Sequence, residues 1–452
     1  MMLFKRNWVG ILALILLATG CSKPTQEPPV SKVDHPDWSK NASIYEVNIR
    51  QYTPEGTFNA FREDLPRLQA LGVDILWLMP IHPIGEENRK GSMGSYYAVK
   101  DFKAVNPEFG TEEDFQALVD EAHDLGMKVI IDWVANHSAW DNVWTVNKDW
   151  YTLDDEGNFM PPVEDWSDVI DFNYDNEELR AAMLDAMQYW VREFNIDGYR
   201  CDVAGMVPTD FWVNTHKELD KIKDVFMLAE DGEAELLVEA FDMNYAWEYA
   251  HVIREIASGE QNFDDLDDLF ARDAERFPPN GYRMYFTTNH DENSWNGSDT
   301  ELYGPNFENF AVLSATVAGM PLIYTGQESG LDKRLAFFEK DTVEWKNYAY
   351  EDFYRMLLSI QESNKALWNG EFGGERTRIE SPEGTYAYSR KKDGNEVIVA
   401  INITDQPVEI SVPTWNSSTY SKYGVTEGTF SSNNRMYNLE LPAHRWFILA
   451  TD

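Results

Sequence analysis

The sequence has 452 residues, with 78 acidic and 38 basic side chains, which gives a formal net charge of −40. Nucleic acids and anionic lipid surfaces are bound through clustered Lys and Arg, so this charge argues against both as partners and favours neutral ones. With 43% hydrophobic and 26% charged residues, the composition is typical of a globular protein and excludes a disordered chain.

The N-terminal residues 1–20 are predicted to be a signal peptide. Lys5 and Arg6 precede an apolar run, Trp8 to Leu17, that is too short to span a bilayer. The next residues, Ala18-Thr19-Gly20-Cys21, resemble a bacterial lipoprotein lipobox, which implies lipidation of Cys21. The alternative is an ordinary secretory signal with an incidental cysteine. We expect an exported lipoprotein of the bacterial outer membrane, on its periplasmic or cell-surface face, attached by the lipid anchor only.

Residues 21–37 contain four prolines among polar residues, and we interpret them as an extended tether between the anchor and the first domain. Once Cys21 is acylated, Cys201 is the remaining thiol. No intramolecular disulfide is then available to stabilise the fold, which must depend on its core.

From Ile44 onward, short apolar runs alternate with amphipathic helical stretches, as in βα units around a parallel sheet. The predicted strands begin near Ile44, Asp74, Lys128, Asp197, Val225, Phe241, Arg283 and Pro321. Eight strands are the number found in a (β/α)8 TIM barrel. We therefore predict an α/β protein whose catalytic barrel spans residues 38–362.

Two helices have recognisable ends. Thr111 to Asp114 can cap a helix that stops at Gly126, and Pro66 is expected to bend the helix that ends at Gly72. The acidic run 263–269 has helical apolar spacing and is interpreted as a solvated helix face rather than a metal site.

Two further regions lack the βα pattern. Residues 135–175, between the third and fourth strands, have little periodicity and are interpreted as a long inserted segment of functional importance. The segment is rich in tryptophan, whose rings either fill a core or stack on sugars. From residue 363 onward, alternating runs separated by Gly, Asn and Asp predict a C-terminal antiparallel β-sandwich domain, residues 363–452.

Polar side chains gather where the predicted strands end, which is where such barrels carry their functional groups. Arg200 and Asp202 leave the same face of one strand, so the guanidinium would keep the carboxylate ionised, as a nucleophile requires. Glu230 ends the next strand, and nearby carboxylates would help it retain a proton. Asp291, at the end of the seventh strand, could stabilise a positively charged transition state.

An ionised nucleophile beside a protonated acid is the arrangement for cleavage of a glycosidic bond with retention of configuration. Each cluster also has a structural interpretation: Arg200 and Asp202 as a structural ion pair, His137 as a loop hydrogen-bonding group, and Glu230-Asp231 as a solvated turn. Because all the clusters fall at strand ends in order, their joint occurrence favours a single site.

Four ordered motifs carry a resemblance to the α-amylase family, glycoside hydrolase family 13, over about residues 38–450. The motifs are Asp132-Trp133-Val134-Ala135-Asn136-His137, Gly198-Tyr199-Arg200-Cys201-Asp202, Leu228-Ala229-Glu230 and Thr288-Asn289-His290-Asp291. The resemblance implies Asp202 as nucleophile, Glu230 as general acid/base and Asp291 as transition-state stabiliser.

The same resemblance implies a sugar pocket and a calcium site. His137, Arg200 and His290 would surround the sugar, Tyr97 would stack on its face, and Asp132 would organise the pocket by hydrogen bonds. The family's chemistry needs no cofactor. Asn136 matches a position that often binds calcium, and Asp171 with loop carbonyls is the other candidate ligand for a structural calcium ion.

Three departures from the family pattern bear on the substrate. Val203 to Met206 stand where many relatives have a Lys-His pair that holds the sugar beyond the cleavage point. Ala98 follows Tyr97 where many relatives have Asp. Residues 135–175 match the position of the family's B domain but are short for one. We therefore expect a retaining hydrolase of α-1,4 bonds in maltooligosaccharides or starch fragments. A transglycosylase or isomerase with the same carboxylates is the alternative. A non-catalytic glucan-binding lipoprotein is disfavoured because Asp202 and Glu230 are present.

Overall fold

The computed structural model describes residues 28–415, 418–432 and 436–451. The predicted signal peptide and Cys21 lie outside the described residues. The strands are β1 (Ile44–Val47), β2 (Ile75–Leu78), β3 (Lys128–Trp133), β4 (His137–Ala139), β5 (Val169–Asp171), β6 (Gly198–Cys201), β7 (Phe226–Ala229), β8 (Met243–Tyr245), β9 (Tyr282–Tyr285), β10 (Met320–Tyr324), β11 (Arg376–Ile379), β12 (Thr385–Lys392), β13 (Asn395–Asn402), β14 (Val408–Pro413), β15 (Thr419–Gly424), β16 (Gly428–Ser431), β17 (Met436–Leu441) and β18 (Arg445–Thr451).

The helices surround the first ten strands and connect them. They are α1 (Ile49–Tyr52), α2 (Phe58–Arg62), α3 (Leu65–Leu71), α4 (Glu112–Asp124), α5 (Glu177–Phe194), α6 (Thr209–Asp220), α7 (Leu236–Glu239), α8 (Trp247–Ser258), α9 (Phe263–Arg276), α10 (Asp299–Tyr303), α11 (Phe307–Thr316) and α12 (Glu351–Ser363). Among the residues that the structure describes, none of these helices is both long and apolar enough to cross a membrane.

Eight parallel strands close into a barrel in the order β1, β2, β3, β6, β7, β8, β9, β10, and β10 pairs back with β1. The prediction of a TIM barrel is therefore confirmed. Alternate strand residues point inward and fill the barrel as a packed core rather than a pore. This inner cluster includes Ile44, Ile75, Trp77, Ile130, Phe226, Leu228, Met243, Tyr245, Met284 and Leu322.

The ends of two helices test the capping predictions. α4 begins with a capping box in which Thr111 and Asp114 bond each other's backbone N–H groups, as expected. The prediction of a bend at Pro66 is wrong, because the chain forms two separate helices there. Pro66 lies in the first turn of α3, where a missing N–H costs no helical hydrogen bond.

The tether prediction is wrong for the part of the segment that the structure describes. Residues 31–35 are bound to the barrel: Lys32 N donates to Val238 O at 2.7 Å, and His35 Nδ1 lies 2.7 Å from Asp242 Oδ1. Asp242 directly precedes β8. The segment therefore lies against the N-terminal ends of the barrel strands, because ordered hydrogen bonds outweigh the entropy of a free chain.

The B-domain segment forms a small two-stranded antiparallel sheet of β4 and β5 beside the third barrel strand. Its tryptophans differ in their surroundings. Trp144 packs on Phe102 and Trp150 with ring centroids 4.8 and 5.6 Å away, whereas Trp166 lies in the cleft described below.

The C-terminal domain is antiparallel, as predicted. Six strands form one sheet in the order β11, β12, β13, β18, β15, β16, and β14 pairs with β17 in a second sheet. The acidic run lies in α9, as expected, but Asp267 is not simply solvated. It accepts hydrogen bonds from Arg376, Arg378 and Tyr386 and so joins the barrel to the C-terminal domain.

Candidate active site

The polar residues predicted at the strand ends converge on the C-terminal face of the barrel. Asp132 and Arg200 are paired across β3 and β6, and Asp202 and Glu230 follow β6 and β7. Parallel strands with matched register bring their ends to one rim, so residues distant in sequence become neighbours.

Arg200 is the hub of the carboxylate cluster. Its Nη1 donates to Asp132 Oδ1 at 2.9 Å and to Asp202 Oδ1 at 3.0 Å, and its Nη2 lies 3.0 Å from Glu230 Oε1. The guanidinium is fully buried. One cation thus fixes three carboxylates, and the predicted pairing of Arg200 with Asp202 is present as part of a larger network.

Burial dominates the protonation of the two central carboxylates. It raises the pKa of Asp202 to about 6, although Arg200 opposes the rise. It raises the pKa of Glu230 to about 8; Arg200 again opposes, and the charge of Asp202 adds to the rise. Desolvation outweighs the ion pair and places the pKa of Asp202 above its usual range, while Arg200 favours the ionised form, as expected. At neutral pH, Asp202 is still largely ionised and Glu230 largely protonated.

A second hydrogen-bonded chain links His290 to the same cluster. His290 Nδ1 bonds Glu46 Oε1, His290 Nε2 lies 2.8 Å from the Tyr97 hydroxyl, and that hydroxyl donates to Asp132 Oδ2 at 3.1 Å. Burial lowers the pKa of His290, but the charges of Asp291 and Glu46 outweigh burial and raise it to about 9. A protonated His290 therefore donates from both ring nitrogens.

A cleft with a volume of about 210 Å³ opens over these groups. Its wall is formed by Lys90, Ser95, Tyr97, His137, Trp166, Asp168, Val169, Asp202, Val203, Glu230, His290, Asp291, Phe337 and Phe338. His137 Nε2 lies 3.9 Å from Asp202 Oδ2, and burial lowers the pKa of His137 to about 3, so its imidazole is neutral. All the predicted catalytic residues, together with Tyr97, His137 and His290, face this one cleft.

A second cavity of about 280 Å³ shares Val203 and Glu230 with the first. Its wall is formed by Val203, Gly205, Met206, Glu230, Asp231, Gly232 and Trp247. A Cβ on Gly205 would lie 2.2 Å from Asp231 Oδ2, so a glycine is needed where the Asp231 carboxylate approaches the backbone. The residues that replace the Lys-His pair therefore line a cavity with apolar and acidic walls and no cation.

The backbone of Val203 positions Glu230 between the two cavities. Val203 adopts a left-handed conformation with φ of 37°, which is unusual for a β-branched residue. Its N–H donates to Glu230 Oε2 at 2.8 Å. Arg200 holds the other oxygen, so both oxygens of the predicted acid are fixed.

The two side chains predicted to bind calcium have other partners. Asn136 Nδ2 donates to His137 Nδ1 at 3.3 Å, and Asp171 Oδ2 accepts from the Thr152 hydroxyl at 2.7 Å. Within residues 28–415, 418–432 and 436–451, no group of three or more His, Cys, Asp or Glu side chains is arranged to hold a metal ion. The Asn136 contact uses its amide nitrogen, whereas calcium would bind oxygens, so the calcium site stays a prediction.

Several residues that contact the site residues were not found from the sequence. Glu46 holds His290, Trp77 Nε1 donates to Asp132 at 3.2 Å, and Phe337 stacks on Tyr97 at 6.2 Å. Of these three residues, Glu46 could have been identified from the sequence, because an acidic residue inside the apolar run of β1 must have a buried partner.

Comparison with known proteins agrees with this geometry. The family model for the alpha amylase catalytic domain matches residues 37–165 and 149–356, and the model for the maltogenic amylase C-terminal domain matches residues 378–448. An alpha-amylase from Lactobacillus plantarum has a solved structure that superposes with a TM-score of 0.81 at 31% sequence identity, covering 91% of this chain and 99% of the other.

Two further relatives are similar over most of this chain. The noncanonic maltogenic alpha-amylase AmyB from Thermotoga neapolitana superposes with a TM-score of 0.81 at 31% identity, covering 92% of this chain and 99% of its own. The alpha-amylase MalA of Haloarcula japonica is 27% identical over 408 residues, which are 85% of this chain but only 59% of that protein. By its family-model matches, its fold and these relatives, the chain belongs to the alpha-amylase family of glycoside hydrolases.

Proposed function

We propose that the protein is a retaining α-glucan hydrolase that cleaves α-1,4 bonds of maltooligosaccharides or starch fragments through a covalent glycosyl-enzyme. The observation that carries the proposal is the pair of buried carboxylates on one guanidinium, with Glu230 at a higher pKa than Asp202. Environments that push two carboxyl pKa values apart assign an acid and a base.

The first step would form a bond from an Asp202 oxygen to the anomeric carbon of the sugar while the glycosidic bond breaks. Glu230 donates its proton to the departing oxygen, which leaves as an alcohol. In the second step the ionised Glu230 takes a proton from water, whose oxygen displaces Asp202. Two inversions at one carbon give net retention.

The position of Glu230 assigns direction to the substrate. An acid that protonates the leaving group lies between the sugar being transferred and the sugar that departs. The cleft that contains Asp202, Tyr97 and His290 would therefore hold the sugar on the non-reducing side. The cavity lined by Met206 and Trp247 would hold the departing sugar.

Neutral glucans fit the electrostatics of this site. The net charge of −40 and the carboxylates in the cleft would repel an anionic substrate. Several relatives with 24 to 27% identity are named as alpha-amylases, maltogenic alpha-amylase or cyclomaltodextrinases, which supports an α-glucan substrate. We favour oligosaccharides over long polymers, because the described residues that line the second cavity include no cationic side chain for the departing sugar.

A timed product profile on maltoheptaose, pullulan and soluble starch tests the function. Shorter α-1,4 products alone would support a hydrolase. Products longer than the substrate, or a new disaccharide isomer, would instead support transglycosylation or isomerisation. Proton NMR of the first product formed would show the α-anomer if configuration is retained, and the β-anomer would contradict the proposed double displacement.

The variant Asp202→Asn tests the nucleophile. Turnover should fall on the order of 10⁴-fold or more, because a neutral amide cannot form the covalent intermediate. Binding of maltoheptaose, measured by calorimetry, should persist. Turnover within tenfold of the wild type would contradict the assignment.

We also propose that Cys21 carries a lipid and anchors the protein to the bacterial outer membrane. The lipobox-like sequence before Cys21 supports this proposal. The full-length protein should fractionate with membranes and incorporate labelled palmitate, and both properties should be lost in Cys21→Ser. A Cys21→Ser variant that remains membrane-bound would contradict it.

A further inference from the structure

A short loop crosses between two other loops at the rim of the cleft; we name residues 90–93 the strap. At one end, Lys90 Nζ lies 3.0 Å from Asp168 Oδ1 and donates to Asp165 O at 2.8 Å. Asp165 and Asp168 belong to the B-domain segment. The Asp168 carboxylate is buried, so this ion pair is shielded from water on one side.

The other end of the strap is joined to the loop that follows β10. Ser92 N donates to Glu339 Oε1 at 3.0 Å, and Met93 N donates to Phe338 O at 3.1 Å. Gly91 has a φ of 64°, and a Cβ there would lie 2.5 Å from Phe338 Cβ. Only a glycine allows the strap to pack this closely on Phe338.

The strap is also supported from beneath by a buried arginine. Arg50 donates from Nη1 to Gly94 O at 3.1 Å and from Nη2 to Met93 O at 3.3 Å, and its guanidinium stacks on Tyr96 at 4.1 Å. These contacts make the strap part of a continuous wall from the B-domain segment to the loop after β10.

This wall lies on the non-reducing side of the cleft. Val203 and Glu230 line both cavities, whereas Lys90, Asp168 and Phe338 line the first cavity only. Because Glu230 marks the boundary with the departing sugar, the residues that line only the first cavity surround the sugar that is transferred. That cavity has a volume of about 210 Å³, below the roughly 300 Å³ at which pockets for drug-sized ligands begin.

We propose that the strap makes the non-reducing side of the site a blind pocket, so that the enzyme attacks chains from their non-reducing ends and releases short products. This inference rests on the proposed hydrolase function. In this proposal the wall occupies the place of the preceding sugars of the chain, so a polymer could not run through the site. Lys90, Gly91 and Asp168 are thus specificity-determining residues.

A blocked substrate tests the inference directly. Maltoheptaose and its derivative with a 4,6-O-ethylidene group on the non-reducing terminal glucose are compared, with products followed by chromatography and mass detection. We expect the blocked substrate to react at least about 100-fold more slowly, because the added group prevents correct placement in a closed pocket. Equal rates on both substrates would overturn the inference and leave the hydrolase proposal intact. No cleavage of either would count against the hydrolase proposal, and the inference would fall with it.

Variants of the strap provide the matched test. Lys90→Ala removes the bond to the B-domain segment, and Gly91→Ala forces the strap away from Phe338. Each should raise the rate on the blocked substrate at least about tenfold relative to the free one and lengthen the first products. Lys103→Ala, which breaks an exposed ion pair with Asp185, is the control and should leave the ratio unchanged. An unchanged ratio in both strap variants, folded by circular dichroism, would overturn the role of the strap.

Discussion

At the scale of single residues, the site depends on how burial and charge set the pKa values of three carboxyl groups. Arg200 contacts Asp132, Asp202 and Glu230, yet all three have raised pKa values because desolvation outweighs a single shared cation.

The pH dependence of kcat/KM follows from these values. The nucleophile must be ionised, so activity should rise as the pH increases through about 6, where Asp202 loses its proton. The acid must be protonated, so activity should fall as the pH increases through about 8. We expect a bell-shaped profile with apparent limbs near these values. A plateau that continues above pH 10 would contradict protonated Glu230 as the acid.

The variant Glu230→Gln separates the acid role from a structural one. An aryl glycoside with a good leaving group needs little protonation, so its rate of bond cleavage should fall far less than the rate on maltoheptaose. The difference should be about 10²- to 10⁴-fold, the usual contribution of general acid catalysis. The retained fast cleavage of the aryl glycoside controls for folding. Equal loss on both substrates would contradict the acid role.

The convergence of residues could be predicted where a motif at a strand end carried the signal. Asp202, Glu230 and Asp291 follow strands whose apolar runs are visible in the sequence, so their convergence could be predicted. Lys90 and Asp168 could not, because they lie in loops without periodicity and meet only through tertiary structure. The calcium site of Asn136 and Asp171 stays a prediction, because loop carbonyl ligands carry no sequence signal.

At the scale of the elements, strand β6 carries most of the chemistry and is fixed closely to its neighbour. Gly198 begins β6 and pairs with Phe226 of β7, and a Cβ there would lie only 1.9 Å from the Phe226 carbonyl oxygen. The position of Arg200 and Asp202 therefore depends on a residue without a side chain.

We predict that Gly198→Ala displaces β6, destabilises the protein by about 1 to 3 kcal/mol or more, and lowers kcat/KM about 100-fold. Gly394→Ala is the matched control. Gly394 also has a positive φ, 93°, but nothing lies within 4 Å of its Cβ position. It should cost only about 1 to 2 kcal/mol of backbone strain and leave kcat/KM unchanged. Urea unfolding and steady-state kinetics distinguish the two, and equal activity in both variants would contradict the prediction.

Element prediction was accurate where hydrophobic patterning is strong. All eight barrel strands were found because each is a short apolar run bounded by turn residues. The region around Pro66 was misjudged because a proline bends a helix in its interior but begins one in its first turn, and patterning alone does not place that turn. The packing of residues 31–35 on the barrel depends on tertiary hydrogen bonds without a local signal.

At the scale of the whole molecule, a buried arginine joins the two domains. Arg390 on β12 donates to the carbonyl oxygens of Gly374, Thr316, Val317, Leu367 and Trp368. Thr316 ends α11 of the barrel, so the cation also lies at the negative end of that helix. Burial lowers the pKa of Arg390 to about 10, so it remains charged at neutral pH.

We predict that Arg390→Met destabilises the protein by about 3 kcal/mol or more, because buried carbonyl groups lose their donors. The exposed Arg445 on β18 of the same sheet offers the control variant Arg445→Met, which should change stability by less than about 0.5 kcal/mol. Unfolding in urea, followed by tryptophan fluorescence, measures both. Equal midpoints for the two variants would show that the Arg390 hydrogen bonds do not hold the domains together.

The large negative charge predicts a response to salt. With a net charge of −40, repulsion between surface carboxylates opposes the folded state, and salt screens it. The melting temperature should rise between about 0.01 M and about 1 M NaCl, the range over which the screening length shrinks from about 30 to 3 Å. A melting temperature that stays constant or falls would contradict the prediction.

The binding of residues 31–35 to the barrel has a consequence for how the enzyme meets its substrate. These residues lie at the N-terminal ends of the strands, and the cleft lies at the opposite end. Nine residues lie between Cys21 and Ser31, so these two residues are at most about 36 Å apart when the chain is fully extended. A lipid on Cys21 would thus hold the base of the barrel close to the bilayer and turn the mouth of the cleft outward, toward diffusing sugars.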